Sequence, residues 1–203
     1  MPAPDFKFRK HASGMTLIEV LIAFVVLSVG MLGIITLMTV SKGSHHQAVQ
    51  RDRAVSLADA IVERIRINPA GVTSYHTGLS PRGGNVIASE PSPNCRSAAC
   101  TPAQLAAHDL WAWERALAGL GVQDDDNNPE GGLINPRGCI QFTPVGTRVN
   151  TGFLNVIIQW RGTLESVDAV GSGEPVCGGE PAGLDPRRRQ VVVNTFVIDE
   201  AEL

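Results

Sequence analysis

Hydrophobic positions fall into three regimes along the chain. Met15–Val40 reads MTLIEVLIAFVVLSVGMLGIITLMTV, with Glu19 as its only ionisable side chain. A helix of that length spans about 39 Å at ~1.5 Å per residue, more than the ~30 Å hydrocarbon core of a bilayer. Core helices of soluble proteins rarely sustain such a run, so residues 15–40 read as membrane-spanning. Beyond Val40 the pattern becomes one-sided. Ala54, Leu57, Ala58, Ile61 and Ile65 recur at helical spacing with Val62 alongside, while Asp52, Asp59, Glu63 and Arg66 fall opposite. No proline interrupts the chain between Pro4 and Pro69, and Asn68-Pro69 ends the run, because a residue before proline avoids the α region. One helix over 15–68 is therefore predicted.

The third regime, 69–203, has no long apolar run. Residues 69–101 are rich in Gly, Ser, Pro and Asn and read as a long loop with few strong elements. A helix follows, with Thr101 as N-cap and Pro102 at its first position. Ala106, Leu110, Trp113, Leu117 and Leu120 line one face, Trp111 lies off it, and Gly121 is the expected stop. Strand signals dominate the end: Cys139–Thr143, Phe153–Trp160 with Leu154, Val156, Ile158 and Trp160 on one side, and Gln190–Ile198 with apolar residues on both faces. The order helix, loop, helix, strands predicts an α+β fold, with a small antiparallel sheet packed on the long N-terminal helix.

Charge gives this order a direction. The formal net charge is only −3, and 18% of residues are charged, which disfavours a dedicated nucleic-acid binder. The leader MPAPDFKFRKHASG sets Lys7, Arg9 and Lys10 against Asp5. Positive flanking charge holds that end in the cytoplasm and sends residues 69–203 across the membrane as a periplasmic head. A secretory signal would have a shorter apolar core and a small-x-small site after it, and Ser41-Lys42-Gly43 fits that poorly. A cut at Ser13-Gly14 instead removes the basic leader, residues 1–14, and leaves the apolar helix as the new N-terminus. Glu19 is the exception inside the run. A carboxylate in a membrane helix costs about 2.5–3.5 kcal/mol at mid-depth, so it wants a partner or the headgroup region. A helix N-terminus helps it by ~0.3–1 kcal/mol. A freed α-amino group, its own or a neighbour's, would neutralise it.

The run Ser13-Gly14-Met15-Thr16-Leu17-Ile18-Glu19-Val20-Leu21-Ile22-Ala23 resembles the class III signal of type IV pilins and pseudopilins. The resemblance implies a prepilin peptidase cutting after Gly14 and methylating Met15, with Glu19, fifth in the mature chain, registering the subunit in a filament. Further blocks are similar to the PilV family of minor pilins, also called type IV pilus modification proteins. They are Leu27–Gly33, Leu57-Ala58-Asp59, Glu63–Pro69 and Val156–Gly162. That likeness is dense over 14–69 and sparse beyond. It implies a pilin-like fold and a low-abundance subunit that primes or tips the pilus beside other minor pilins and the major pilin, anchored beforehand in the inner membrane through residues 15–40. A minor pseudopilin of a type II secretion system carries the same leader. A signal-anchored periplasmic enzyme or binding protein is the alternative of another class.

The remaining candidates carry less chemistry. Cys95, Cys100, Cys139 and Cys177 lie in the exported part, where an even count favours disulfides. Three pairings are open, and Cys95–Cys100 with Cys139–Cys177 is the expected one. No CxxC or nearby His supports zinc, so no metal or cofactor is expected. His45 and His46 point about 100° apart on a helix and make a poor metal pair. Gly30 and Gly33 allow close helix packing or are simply tolerated in a membrane helix. Asp124–Asn128 is oxygen-rich but lacks a calcium-loop pattern and reads as solvated loop. Arg187-Arg188-Arg189 reads as solvated loop before a strand, with a DNA contact as the lesser alternative. No nucleophile elbow, phosphate loop or other catalytic set emerges, so no enzymatic activity is expected.

Overall fold

The computed structural model describes residues 14–84, 89–121, 125 and 132–203. The first element, α1, is one 51-residue helix, Leu17–Ile67. A single 3-10 turn at Pro69–Gly71 and a short helix α2, Val72–Tyr75, follow directly. Then come α3 (Pro102–Leu117), β1 (Arg137–Pro144), β2 (Gly152–Arg161), β3 (Arg188–Val197) and a closing 3-10 turn at Glu200–Glu202. The chain divides into two compact units between Ser44 and His45, inside α1.

In the first unit every described side chain from Met15 to Val40 is exposed. The second unit holds the core. The α1 stripe read from the sequence supplies Ala54, Ala58, Ile61, Val62 and Ile65, all buried, and Gln50 extends it by one turn. Asp52, Asp59, Glu63 and Arg66 stay exposed. Against the stripe pack Ala106, Leu110, Trp113 and Leu117 of α3 and Ile140, Phe142, Leu154, Val156, Ile158, Val191 and Val197 of the sheet. Thr101 caps α3 as a capping box. Its hydroxyl accepts from Gln104 N (3.3 Å) while the Gln104 side chain accepts from Thr101 N (2.9 Å).

The sheet is an antiparallel meander, β1-β2-β3, with β2 in the centre. Cys139 faces Ile157, which faces Val192; Gln141, Asn155 and Asn194 form the next row, and Thr143, Phe153 and Phe196 the one after. These residues share the face away from the main core, because side chains alternate along a strand. There Cys139 and Ile157 are buried with Cys177 in a small second cluster. Phe153 and Phe196 meet edge to face, with ring centroids 5.1 Å apart, at an exposed corner.

The structure corrects three sequence expectations. The stretch 69–101 opens with the 3-10 turn and α2 rather than a bare loop, and Tyr75, the chain's single tyrosine, is fully buried there. Asn68 does more than end α1. Its Nδ2 donates to Pro102 O (2.8 Å) and Tyr75 Oη (3.2 Å); Tyr75 Oη donates to Asp109 Oδ2 (2.6 Å), and Arg64 Nη1 donates to Asp109 Oδ1 (3.4 Å). Polar groups from α1, α2 and α3 thus satisfy one another inside the unit, as buried polar groups must. Burial first, and then the bond to Asp109, push the Tyr75 phenol above its ordinary pKa.

Second, α3 stops at Leu117, before Gly121. Gly119 takes φ 78°, Leu120 N bonds Arg115 O (2.9 Å) and Gly119 N bonds Ala116 O (3.1 Å). That is the Schellman arrangement, which needs a left-handed residue at Gly119. Third, Arg187–Arg189 is not a solvated loop. Arg188 and Arg189 lie in β3, and Arg188 is only 3% exposed. Its guanidinium stands 3.6 Å from Asp168 and donates to Glu180 O.

Candidate processing and assembly site

Gly14, Met15 and Thr16 lie outside any helix, and a Cβ at Gly14 would meet no atom within 4 Å. Met15 is 73% exposed. A peptidase needs a reachable peptide outside a helix at its cut site, and Gly14–Thr16 is exposed and non-helical. Helical bonding begins just beyond, where Glu19 N and Val20 N both donate to Thr16 O (3.1 and 3.3 Å). Glu19 therefore sits in the first turn of α1, where the helix N-terminus favours a carboxylate. Its side chain is exposed, and no hydrogen bond or ion pair holds the carboxylate among the described residues.

From Val20 to Val40 α1 offers its surroundings an almost purely apolar surface. An 18-residue window reaches a mean hydropathy of 2.8, and it is the one helix among the described residues long and apolar enough to cross a membrane. The hydroxyls in the run bond within the helix. Ser28 Oγ donates to Phe24 O (2.7 Å), Thr36 Oγ1 to Leu32 O (2.9 Å) and Thr39 Oγ1 to Thr36 O (2.8 Å). Satisfied this way, they do not oppose an apolar environment. The signal for this was present in the sequence as Ser or Thr set among apolar residues on one helix. Gly30 and Gly33 have open space where a Cβ would stand.

The other sequence candidates sit apart from this stretch in the chain. Cys95 is joined to Cys100 and Cys139 to Cys177, with Cα atoms 5.6 and 5.7 Å apart, and no described cysteine is free. The second bond joins β1 to the segment between β2 and β3. His45 and His46 are exposed side chains of α1. Of the acidic cluster Asp124–Asn128, all but Asp125 lies outside the described residues. Among the described residues no group of three His, Cys, Asp or Glu side chains could hold a metal ion. Trp111, off the buried face of α3, stands against His108 (ring centroids 5.5 Å apart) and beneath the Arg115 guanidinium (5.2 Å).

Comparison with known proteins adds two matches. Residues 9–35 match the prokaryotic N-terminal methylation motif, which contains Gly14, Met15 and Glu19. Residues 39–111 match the family described as Tt1218-like, type IV pilin Tt1218, from the end of the apolar run into α3. Neither match is specific to PilV-type subunits. No curated protein and no solved structure matches the chain. The fold, a long apolar-led helix with a three-stranded antiparallel sheet, is the pilin-like α+β arrangement. A methylation motif followed by a segment similar to a type IV pilin supports a pilin-type subunit.

Proposed function

We propose that the chain is a minor type IV pilin of the PilV type, cut after Gly14, N-methylated at Met15 and registered in the filament by Glu19. The observation that carries this reading is one juxtaposition. An open, non-helical Gly14–Thr16 leads into an apolar helix whose first turn holds Glu19 and whose side chains to Val40 are all exposed. In this reading residues 1–14 remain cytoplasmic until removed, 15–40 span the inner membrane and the remainder faces the periplasm before joining the pilus.

Leader removal exposes the Met15 amine and takes away Lys7, Arg9 and Lys10, which hold the N-terminus at the cytoplasmic face. The helix is then free to leave the bilayer and pack among other pilin helices. Glu19 would be costly in such an apolar bundle unless paired, and a neighbouring subunit's N-terminal amine is the complementary group. The partners are prepilin peptidase first, then other minor pilins and the major pilin.

The intact mass of the N-terminal peptide, measured from native membranes with and without prepilin peptidase, tests the processing step. A peptide beginning at Met15 with one added methyl group, lost in the peptidase mutant, is expected. A retained leader in both strains would leave a signal-anchored protein and remove the filament mechanism. Glu19→Ala tests registration: insertion and cleavage should be normal, but the subunit should vanish from sheared pili. Unchanged incorporation would sink the pairing step. A wild-type subunit absent from pili but needed for type II secretion would transfer the same mechanism to a pseudopilus.

A further inference from the structure

We propose that β3 is a docking edge for an extended segment of another protein, added antiparallel to the sheet and anchored by an acidic residue beside Arg51 and Arg189. The two edges of the sheet are finished differently. The outer side of β1 is sealed. Gly138 exchanges both backbone bonds with Arg82 (2.8 Å each), Ile140 O accepts from Thr77 N (2.9 Å), Ile140 N donates to Thr77 Oγ1 (2.9 Å), and Phe142 N donates to His76 Nδ1 (2.9 Å). Bonding direction alternates along a strand, so Cys139, Gln141 and Thr143 serve β2. Carried across the register, Leu154, Val156, Ile158 and Trp160 serve β3 through Thr195, Val193, Val191 and Arg189. Gln190, Val192, Asn194 and Phe196 therefore turn N–H and C=O outward, and no described group bonds them.

Nothing in β3 protects that edge. Its pairing with β2 runs unbroken from Arg188 to Val197, without a bulge. Between Arg189 and Asp199 it has no proline and no charged side chain. Edges that resist pairing carry such features. The open stretch from Gln190 to Phe196 is about 20 Å long at ~3.3 Å per residue, room for a segment of about seven residues.

Helix α1 turns the edge into a groove. Arg51 borders a cavity of about 250 Å³ together with Arg189 and Gln190 of β3, and Arg66 Nη2 donates to Thr195 Oγ1 (2.7 Å). Positions 51, 55, 62 and 66 share one side of an α-helix, so Val55, 37% exposed, and Val62 face the same way between the two arginines. A strand added to β3 would turn alternate side chains towards Val55 and the rest beside Val192 and Phe196. Residues that are β-branched or aromatic, and not proline, suit both sides.

The cavity stands at the start of this edge and sets the charge of the partner. Its charged side chains are Arg51 and Arg189, and no acid lines it. Arg51 makes no side-chain hydrogen bond or ion pair among the described residues, and Arg189 donates only to the carbonyls of Leu164, Pro186 and Arg188. The neighbouring acid, Asp168, is held by Arg188 and by the N–H groups of Val170 and Asp185. Trp160 stands opposite Arg189 in the register, hence on the same face, and also borders the cavity; its buried Nε1 has no partner. Two guanidinium groups and an indole N–H are donors, and a carboxylate accepts from all of them.

A second copy of β3 is not the occupant. Helix α1 runs in the same sense as β3, from Arg51 beside Arg189 to Arg66 beside Thr195. Antiparallel pairing would reverse the second copy's α1, which two copies anchored in one membrane, as proposed above, do not permit.

The test uses the full chain in detergent micelles and a capped heptapeptide of alternating threonine and valine ending in glutamate. Saturable binding is expected. In the free chain, hydrogen exchange should be slow at Val191, Val193 and Thr195 and fast at Val192, Asn194 and Phe196, and bound peptide should slow the second set at least about tenfold. Glutamine in place of the glutamate should weaken binding about tenfold, and so should Arg51→Gln. Asn194→Pro deletes an outward N–H but no bond to β2, and should abolish binding. No saturable binding, or exchange at Val192, Asn194 and Phe196 unchanged at saturation, would overturn the docking edge. Equal affinity for the two peptides would overturn the acidic anchor. A dimer of the free chain that Asn194→Pro dissolves would overturn the choice of partner and give the edge to a second copy. Should Asn194→Pro fail to fold, the exchange pattern of the wild-type chain still decides.

Discussion

The two halves of α1 are one continuous helix built on opposite plans. From Met15 to Val40 the helix is apolar on every side and none of its side chains is covered. From Gln50 to Ile65 it is largely polar outside one stripe, and that stripe is buried: Ala54, Ala58, Ile61 and Ile65 have no exposed surface. Hydrophobic content alone would have assigned the core to the wrong half. Angular distribution decides instead. A stripe can be matched by one folded partner, whereas an all-round apolar surface needs an apolar medium or a ring of neighbours.

The largest expected effect breaks this comparison directly. Ile61→Ala should destabilise the head by about 2–5 kcal/mol through lost burial and a residual cavity. Leu32→Ala, of similar size but in the exposed half, should leave the head's unfolding midpoint unchanged. Denaturant unfolding of the full chain in micelles, followed by near-ultraviolet circular dichroism, reads both. Equal losses would mean that the two halves are not energetically distinct.

Tyr75→Phe sharpens the comparison by probing the polar clamp that only the second half possesses. It leaves Asp109 Oδ2 without its 2.6 Å donor and should cost about 1–3 kcal/mol. The same unfolding measurement applies, and a neutral result would show the network to be incidental. Thr101→Ala removes the cap of α3, the helix that covers part of the stripe, and should cost about 1 kcal/mol. Thr101→Ser should recover most of it.

The smallest effect is acid-dependent and confined to the second unit. Burial raises the Asp168 carboxyl, but backbone N–H donors of Val170 and Asp185 and the Arg188 charge outweigh it and hold it below its ordinary value. Glu202 is also held low, against desolvation, by the N–H groups of Asn150 and Val149 (2.8 and 2.7 Å). Carboxylates with lowered folded pKa values contribute stability that is present above the ordinary range, near pH ~4, and lost as pH falls through the folded values. Carboxyl carbon shifts of both side chains should therefore titrate below those of exposed acids. Titration at ordinary values would mean that those contacts do not persist in solution.

Legibility in the sequence followed the range of the interaction involved. The α1 stripe, the Thr101 cap and the three strands were readable because periodicity, caps and alternation are local. Gly119 and Gly121 were equally good local stops, and only the bonds to Arg115 O and Ala116 O decide between them. Asn68 and Tyr75 were opaque because their partners sit on other elements. The arginines beside β3 were opaque for a related reason. Arg51 and Arg189 border one cavity only once α1 packs along the sheet, and Arg187–Arg189 looks like any solvated basic run until Asp168 is beside it. Gly14, Met15 and Glu19 were legible as a spacing, and the structure adds that the helix begins only after the proposed cut.

The stripe on α1 also has a mechanical consequence. A pull directed along the helix axis would load Gln50, Ala54, Ala58, Ile61 and Ile65 together, along with the hydrogen bond from Trp113 Nε1 to Leu57 O (2.9 Å). Contacts strained side by side share the force, whereas contacts peeled in turn each bear it alone. Within the second unit the stripe is thus joined to its partners in shear, so no single contact bears such a load alone.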